Sequence, residues 1–135
     1  MAHDSIFPKG MVNNADMSLE SVAAKLTYFH IQLHLLHWQT TSFAEHKALG
    51  SLYETVGDMK DDIVEKLMGY ANRRVKVFKL EGLSEGNSVA VVNSLLTFAY
   101  NLIEWAEANH YCDIENLAQS LSGEAAKTKY LLTLK

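Results

Sequence analysis

Residues 30–65 decide the fold of this chain, and they read HIQLHLLHWQTTSFAEHKALGSLYETVGDMKDDIVE. Two apolar segments with helical spacing lie on either side of a short polar turn. His37 and His46 bracket that turn, and Asp61 and Glu65 follow one helical turn apart. Imidazoles and carboxylates set into an apolar helical pattern are the groups from which helical bundles build metal sites. The stretch therefore predicts paired helices with a candidate metal site.

Length and composition favour a single helical domain. The chain has 135 residues and 48% of them are hydrophobic, which is enough for one sizeable core. One proline and seven glycines are few for an all-β protein and suit long helices joined by short loops. The sole cysteine, Cys112, excludes an intrachain disulfide and a Cys-based zinc site.

Charge and the apolar pattern also bear on partners and location. The formal net charge of -4 argues against strong sequence-independent DNA binding, whose affinity comes from Lys and Arg neutralising phosphates. The first residues, MAHDSIFPKG, lack the apolar run of a signal peptide. No apolar run looks long enough to cross a bilayer. We expect a cytoplasmic protein with no membrane partner.

The pattern predicts an N-terminal arm at residues 1–17 and an all-α domain at residues 18–135. Within that domain it predicts four helices, at about 19–39, 45–78, 88–109 and 113–135. The expected caps are Ser18 or Asp16 for the first helix, Asn87 or Ser88 for the third and Asp113 for the fourth. Because the connections are short, an antiparallel four-helix bundle is the expected architecture.

The first helix is apolar on two sides. Its core stripe consists of Leu19, Val22, Ala23, Leu26, Phe29 and Leu33. Its second apolar face consists of Tyr28, Ile31, Leu35 and Trp38. A helix that is apolar on two faces is buried from both sides. We therefore expect at least a homodimer along this helix, with Trp38 in the interface and a higher oligomer open.

The second helix carries a row of carboxylates beside its apolar stripe. Glu54, Asp58, Asp61 and Glu65 are spaced four, three and four residues apart, so they share one face. Like-charge pairs at i,i+4 cost a few tenths of a kcal/mol, and a bound cation would reverse that cost. A solvated acidic face is the alternative. Gly50, Gly57 and Gly69 weaken this helix or permit the close approach of a neighbour.

Other histidines leave alternatives open. His30 and His34 share a helix with His37 and suit packing or supporting roles as well as ligation. Glu107 and His110 form a Glu-x-x-His pair, of which di-iron bundles need two copies. The fourth helix offers no second copy, since Lys127 stands three residues after Glu124. A complete di-iron site within one subunit is therefore not expected.

One ordered set of residues resembles the signature of the Dps miniferritins. It consists of the His-Trp pair at residues 37–38, then Phe43 and His46, then Asp61 and Glu65. That resemblance covers about 50 residues and implies a ferritin-like four-helix bundle. It implies that His37 and His46 of one subunit bind iron together with Asp61 and Glu65 of a two-fold mate. The implied activity is oxidation of Fe(II) by peroxide or oxygen, with zinc or manganese also suited to such ligands.

Two functions therefore remain open from the sequence. The first is a Dps-like ferroxidase or iron-binding protein whose site is shared between subunits. The second is a metal-free helical bundle that acts as a dimeric structural or interaction module. The short connection predicted at residues 80–87 favours an assembly other than a large shell, and the absence of a lysine-rich tail makes DNA binding weak at most.

Overall fold

The structure is a computed structural model that describes residues 17–134. The predicted arm therefore lies outside the described residues except for its last residue, Met17. Four helices are present, α1 Leu19–Gln39, α2 Phe43–Ala71, α3 Ser88–Ala108 and α4 Cys112–Leu131, followed by a short 3-10 turn at Leu132–Leu134. No strand occurs in this range. The prediction of an all-α four-helix bundle is confirmed.

The helices pack in a square whose order differs from the order along the chain. Helix α1 lies against α2, α2 against α4, α4 against α3, and α3 against α1. Short turns make α1 and α2 antiparallel, and likewise α3 and α4. The segment 72–87 runs the length of the bundle, so α2 and α3 point the same way on one diagonal. All neighbouring helices are therefore antiparallel, as predicted, but one connection is long.

The core lies along the axis of the square and comes from all four helices. Its largest fully buried side chains are Leu26, Leu33, Leu49, Leu52, Ile63, Leu67, Leu95, Leu102, Ile114 and Leu121. Within each helix these residues are three, four, seven or eleven positions apart, which are the helical repeats that turn one stripe per helix inward. The core stripe predicted for the first helix is confirmed, because all six of its residues are buried.

The crossover at residues 72–87 is fastened along α1. Near the start of α1, the Arg73 guanidinium donates two hydrogen bonds of 2.7 Å to the Glu20 carboxylate. Halfway along, the buried Gln32 side chain donates to the Ser84 carbonyl at 3.0 Å and accepts from the Ser84 N–H at 2.9 Å. Because these contacts move from the first turn of α1 towards its last, they fix the direction of the crossover.

A buried carboxylate joins the far end of the crossover to the α1–α2 turn. Glu45, in the first turn of α2, accepts hydrogen bonds from the hydroxyls of Thr40 and Ser88. Ser88 is the first residue of α3. A buried carboxylate is expensive unless it is hydrogen-bonded, so these contacts allow Glu45 to tie three elements together.

The predicted end of the second helix is wrong. The helix ends at Ala71 and not near residue 78, because Asn72 adopts a left-handed conformation with φ 54°. Asparagine tolerates that conformation and is found at helix C-termini. Val75 and Phe78 continue the helical spacing of apolar residues, which suggested a longer helix. Contacts of the crossover with α1 replace the helical hydrogen bonds there.

The fourth helix also departs from the prediction at its start. It begins at Cys112, and Asp113 lies inside its first turn instead of capping it. The Asp113 carboxylate forms an ion pair with Lys66 of α2, so it holds two helices together. The helix runs unbroken through Ser122 and Gly123. The first and third caps are Ser18 and Asn87, which were among the predicted residues.

Helix α3 is long and apolar enough, by length and composition, to cross a membrane. The sequence pattern had not suggested this. In the bundle, 44% of the most apolar stretch of α3 is buried against the neighbouring helices. This burial in the core also accounts for the apolar composition of the helix.

Replacing Glu20 with Gln tests the fastening of the crossover. Hydrogen bonds from Arg73 and from the Lys76 N–H lower the pKa of Glu20 from 4.5 to about 2. A carboxylate whose pKa is depressed by folding stabilises the protein above its unfolded pKa, and that stabilisation is lost as the pH falls through the folded value. We expect Glu20→Gln to lower the Tm at neutral pH, and the difference from wild type to disappear between pH 4.5 and about 2.

The measurement is thermal unfolding followed by circular dichroism across this pH range. Glu115→Gln is the matched control, because Glu115 also lies in the first turn of its helix and no ion pair to it occurs among the described residues. Equal Tm values for the Glu20 variant and wild type at neutral pH would contradict the prediction.

Candidate metal centre

The first two predicted ligands form a stacked pair at one end of the bundle. His37 lies in the last turn of α1 and His46 in the first turns of α2. Their ring centroids are 3.8 Å apart and the ring planes differ by 16°. The short turn between the helices brings together these residues, nine positions apart in the sequence.

Reciprocal hydrogen bonds fix the two rings. His37 Nδ1 lies 2.7 Å from the carbonyl oxygen of His46, and His46 Nδ1 lies 2.8 Å from the carbonyl oxygen of His37. A carbonyl oxygen only accepts, so each Nδ1 carries the proton and donates it. In the neutral ring this leaves the lone pair on Nε2. Histidines that bind metals are usually held in this way by a hydrogen bond from the other ring nitrogen.

Two glycines of α2 make room for histidines of α1. A Cβ atom on Gly50 would lie 2.9 Å from His37 Cε1, and one on Gly57 would lie 2.8 Å from His30 Nε2. Both distances are shorter than packed atoms allow. Around Gly69, by contrast, no atom lies within 4 Å of such a Cβ. The predicted role of glycine in close helix approach therefore holds for Gly50 and Gly57 only.

His34 and His30 belong to the contact between α1 and α2. The His34 ring stacks on Tyr53 with centroids 4.1 Å apart, and it lies 3.9 Å from the Trp38 ring. The Lys60 ammonium lies 3.4 Å from His30 Nδ1. Burial is the main cause that lowers the pKa of His30, and the nearby Lys60 charge lowers it further. Both histidines have packing partners, in line with the supporting role left open by the sequence.

The two predicted carboxylate ligands lie far from the histidine pair in the same subunit. Asp61 comes fifteen residues after His46 (61 − 46) on one continuous helix, which is about 22 Å at 1.5 Å per residue. Asp61 and Glu65 are both exposed. Within residues 17–134, no cluster of three or more His, Cys, Asp or Glu side chains could hold a metal. One subunit therefore supplies two separate halves of the predicted ligand set.

The carboxylates repel one another. The Asp61 side chain hydrogen-bonds Glu65, and this bond together with the Asp61 charge raises the pKa of Glu65. A raised carboxyl pKa shows that a second negative charge is unfavourable here, and a cation between the two groups would relieve the repulsion.

Large apolar side chains are exposed around the histidine pair. Trp38 is 66% exposed and Phe43, whose ring lies 6.4 Å from that of His46, is 76% exposed. Ile31 of the predicted second face is also exposed. Tyr28, assigned to the same face, instead packs against the core and the ring of Phe29, so its assignment to the outer face is wrong.

The sequence did not single out several polar residues that shape this end of the bundle. Tyr53 of α2 stacks on His34. Glu45 and Gln32 are buried and bond across elements. A polar residue at a core-facing position of an apolar stripe was the available signal for Gln32, while nothing local to Glu45 indicates its partner on α3.

Residues 37–132 match a family of unknown function, DUF5856. The chain belongs to this family. No curated protein and no solved structure gives a significant match. The range matched by DUF5856 begins at His37, so it contains the histidine pair and both carboxylates but leaves out most of α1.

Substituting the glycine beside His37 tests how tightly that ring is held. In Gly50→Ala the new methyl group collides with a ring that stacking and a hydrogen bond keep in place. Overpacking costs about 1–3 kcal/mol, against a gain of up to about 1 kcal/mol in helix propensity. We expect a net loss of roughly 1 kcal/mol in the free energy of unfolding measured in urea. Gly69→Ala, the control in open space, should gain up to about 1 kcal/mol.

The repulsion between the carboxylates predicts a pH dependence. Because the pKa of Glu65 is raised above 4.5 in the folded state, its ionisation lowers stability as the pH rises from 4.5 through the raised value. Asp61→Asn should bring the pKa of Glu65 back towards 4.5, as seen by NMR titration of its carboxyl carbon, and should reduce this loss. Asp62→Asn is the comparison and should shift the Glu65 titration less, because Asp62 is the weakest of the causes that raise the pKa of Glu65 and is paired with Lys66. An identical Glu65 titration in wild type and Asp61→Asn would contradict the prediction.

Proposed function

We propose that this protein is a Dps-like iron-binding protein that oxidises Fe(II) at a site shared between two subunits. His37 and His46 of one subunit and Asp61 and Glu65 of its two-fold mate would hold the iron. The observation that carries the proposal is the reciprocal pair of hydrogen bonds between His37 and His46. These bonds leave the lone pair of each Nε2 atom available to a metal, and they fix both rings before a metal binds.

The separation of the two half-sites supports a shared site. A two-fold axis can place Asp61 of a mate beside His46 of the first subunit. Such an axis must cross α2 midway between residues 46 and 61, near Tyr53 and Glu54. Each half-site then lies about 11 Å from the axis, half of the 22 Å between them. Two equivalent sites result, each built from both subunits, as an isologous dimer requires. Tyr53 and the His34 ring stacked on it would lie close to the axis.

The outer face of α1 supports the same arrangement. Ile31 and Trp38 are exposed there, and Trp38 directly follows the ligand His37. Burying such side chains contributes about 25 cal/mol per Å² of apolar surface. A mate seated on this face would cover Trp38 and exclude water from the histidine pair.

The connection between α2 and α3 agrees with a ferritin-like bundle. One long crossover and two short turns are the connectivity of ferritin-like folds, whereas simple up-down bundles have three short turns. The crossover at residues 72–87 contains no helix. We infer a dimeric or other small assembly, with DNA binding weak at most.

The proposed reaction balances with peroxide as the oxidant. Two Fe(II) ions give up one electron each and become Fe(III), the O–O bond of hydrogen peroxide breaks, and two protons taken up from solution complete two water molecules. Fe(II) is the substrate. The protein's contribution is to bring imidazole and carboxylate ligands together, a mixture that suits iron and also admits zinc or manganese.

A metal-free interaction module is the second candidate function. It is favoured by the exposed positions of Asp61 and Glu65, which fit a solvated acidic face as well as ligation. If no cation ever binds there, the repulsion is a permanent cost. Asp61→Asn and Glu65→Gln would then stabilise the protein in its cellular form, with no loss of function. On the iron proposal the same variants abolish metal uptake.

The deciding experiment is an anaerobic Fe(II) titration, followed by peroxide addition while the absorbance of ferric species is recorded. We expect saturable uptake and rapid oxidation in wild type, and loss of both in the His37→Ala and Asp61→Asn variants.

Mixing the two inactive variants tests whether the site is shared. Each mixed dimer keeps one intact site, because one subunit supplies His37 and the other supplies Asp61. After equilibration of an equal mixture we expect about a quarter of the wild-type capacity to return, since about half of the dimers are mixed. A mixture as inactive as its components would contradict the shared site, and no Fe(II) uptake by wild type would favour the metal-free module.

A further inference from the structure

A cavity of about 460 Å³ lies between α1 and α3, on a different helix pair from the histidines. Its apolar lining includes Met17, Phe29 and Phe98, and the two phenyl rings contact each other with centroids 5.9 Å apart. Small polar side chains, among them Ser94 and Thr97, also line it. A concave, mostly apolar site with a few polar groups is the usual form of a small-molecule site, and the volume falls within the usual range of about 300–1,000 Å³.

The side chain of Asn101 gives this cavity a specific polar group. Asn101 lines the cavity and is only 4% exposed. Within residues 17–134, its side-chain amide has no hydrogen-bond partner, although the other buried polar side chains, such as Gln32 and Glu45, do. In this part of the chain, no polar side-chain atom that is completely enclosed lacks a partner, so the Asn101 amide, which lines the cavity, keeps some access to solvent. A ligand that covers this amide without pairing with it would leave a buried polar group unsatisfied, which is costly, so a ligand with a matching polar edge is favoured.

The charges around the cavity indicate a neutral ligand. Among the described residues, Lys25 is the one charged residue in its lining, and the Lys25 ammonium is 3.2 Å from the Glu81 carboxylate of the crossover. The positive charge is therefore already matched. A charged ligand would enter an apolar space without a counterion, which is strongly unfavourable.

We propose that this cavity binds a neutral, largely apolar small molecule that presents a hydrogen-bond donor beside an acceptor to Asn101. The edge of a primary amide or a lactam has this arrangement and pairs with the amide of asparagine through two hydrogen bonds. The apolar body of the ligand would pack on Phe29 and Phe98. The site needs neither a metal nor a second subunit, so it stands or falls independently of the iron proposal.

The test uses two probes of nearly identical shape on the full-length chain. Carbostyril, a cyclic amide, presents an N–H donor beside a C=O acceptor on one edge, and coumarin, the corresponding cyclic ester, lacks the donor. Binding is followed by chemical-shift changes of backbone amides in NMR. We expect saturable shifts centred on residues 93–101, with the amide binding about five- to tenfold more tightly than the ester because of the additional hydrogen bond.

Asn101→Leu, a substitution of similar size, should abolish the preference for the amide over the ester. Asn116→Leu is the matched control, because Asn116 is exposed on α4 and does not line the cavity. The comparison of the two probes on wild type requires no variant, so a folding defect in Asn101→Leu does not remove the test.

Three results would overturn the proposal. The first is the absence of localised shifts with either probe, and the second is equal affinity of wild type for amide and ester. The third is binding that appears only in an Ile6→Ser/Phe7→Ser variant, which would show that the chain's own first residues occupy the cavity.

Discussion

The close approach of α1 to α2 is the constraint on which the rest of this structure depends. The rings of His37 and His30 pass so close to Gly50 and Gly57 that a side chain at either position would collide with a ring. Imidazoles therefore occupy a helix–helix contact that apolar side chains usually fill. Because a polar ring in such a contact needs partners, His37 and His46 each bond the other's carbonyl. The same packing thus closes the helix pair and orients the two imidazole rings of the proposed metal site.

The crossover has the second largest influence, because it sets which helices are neighbours. Its contacts with Glu20 and Gln32 carry the chain along the full length of α1 before α3 begins. As a result α1 lies beside α3, and the cavity with Asn101 lies between them. A short turn after α2 would have placed α3 beside α2 instead. The ion pair and hydrogen bonds that hold the crossover on α1 therefore determine where the cavity between α1 and α3 lies.

The two proposed sites differ in what they lack. The histidine pair is held by reciprocal hydrogen bonds, but the carboxylates proposed as its partners lie about 22 Å away in the same chain, so the proposed site needs a second subunit. The exposed Trp38 beside it is consistent with such a mate. The Asn101 cavity is complete within one chain and lacks only a group for its amide. Membership of DUF5856 is compatible with both sites, since residues 37–132 include the histidine pair and half of the cavity.

The sequence by itself determined the helices and their inward faces, because apolar residues at spacings of three and four leave few alternatives. Ser18 and Asn87 could be recognised as caps because capping depends on neighbouring residues. The sequence also placed His37 and His46 on either side of one turn, which makes their proximity a local matter. The end of α2 and the partner of Asp113 were not predictable, because Glu20 and Lys66 act from distant positions. The tertiary structure alone decided the ring stacking, the helix order and the position of Asn101. Each of these depends on contacts between residues far apart in the chain, and no local pattern encodes them.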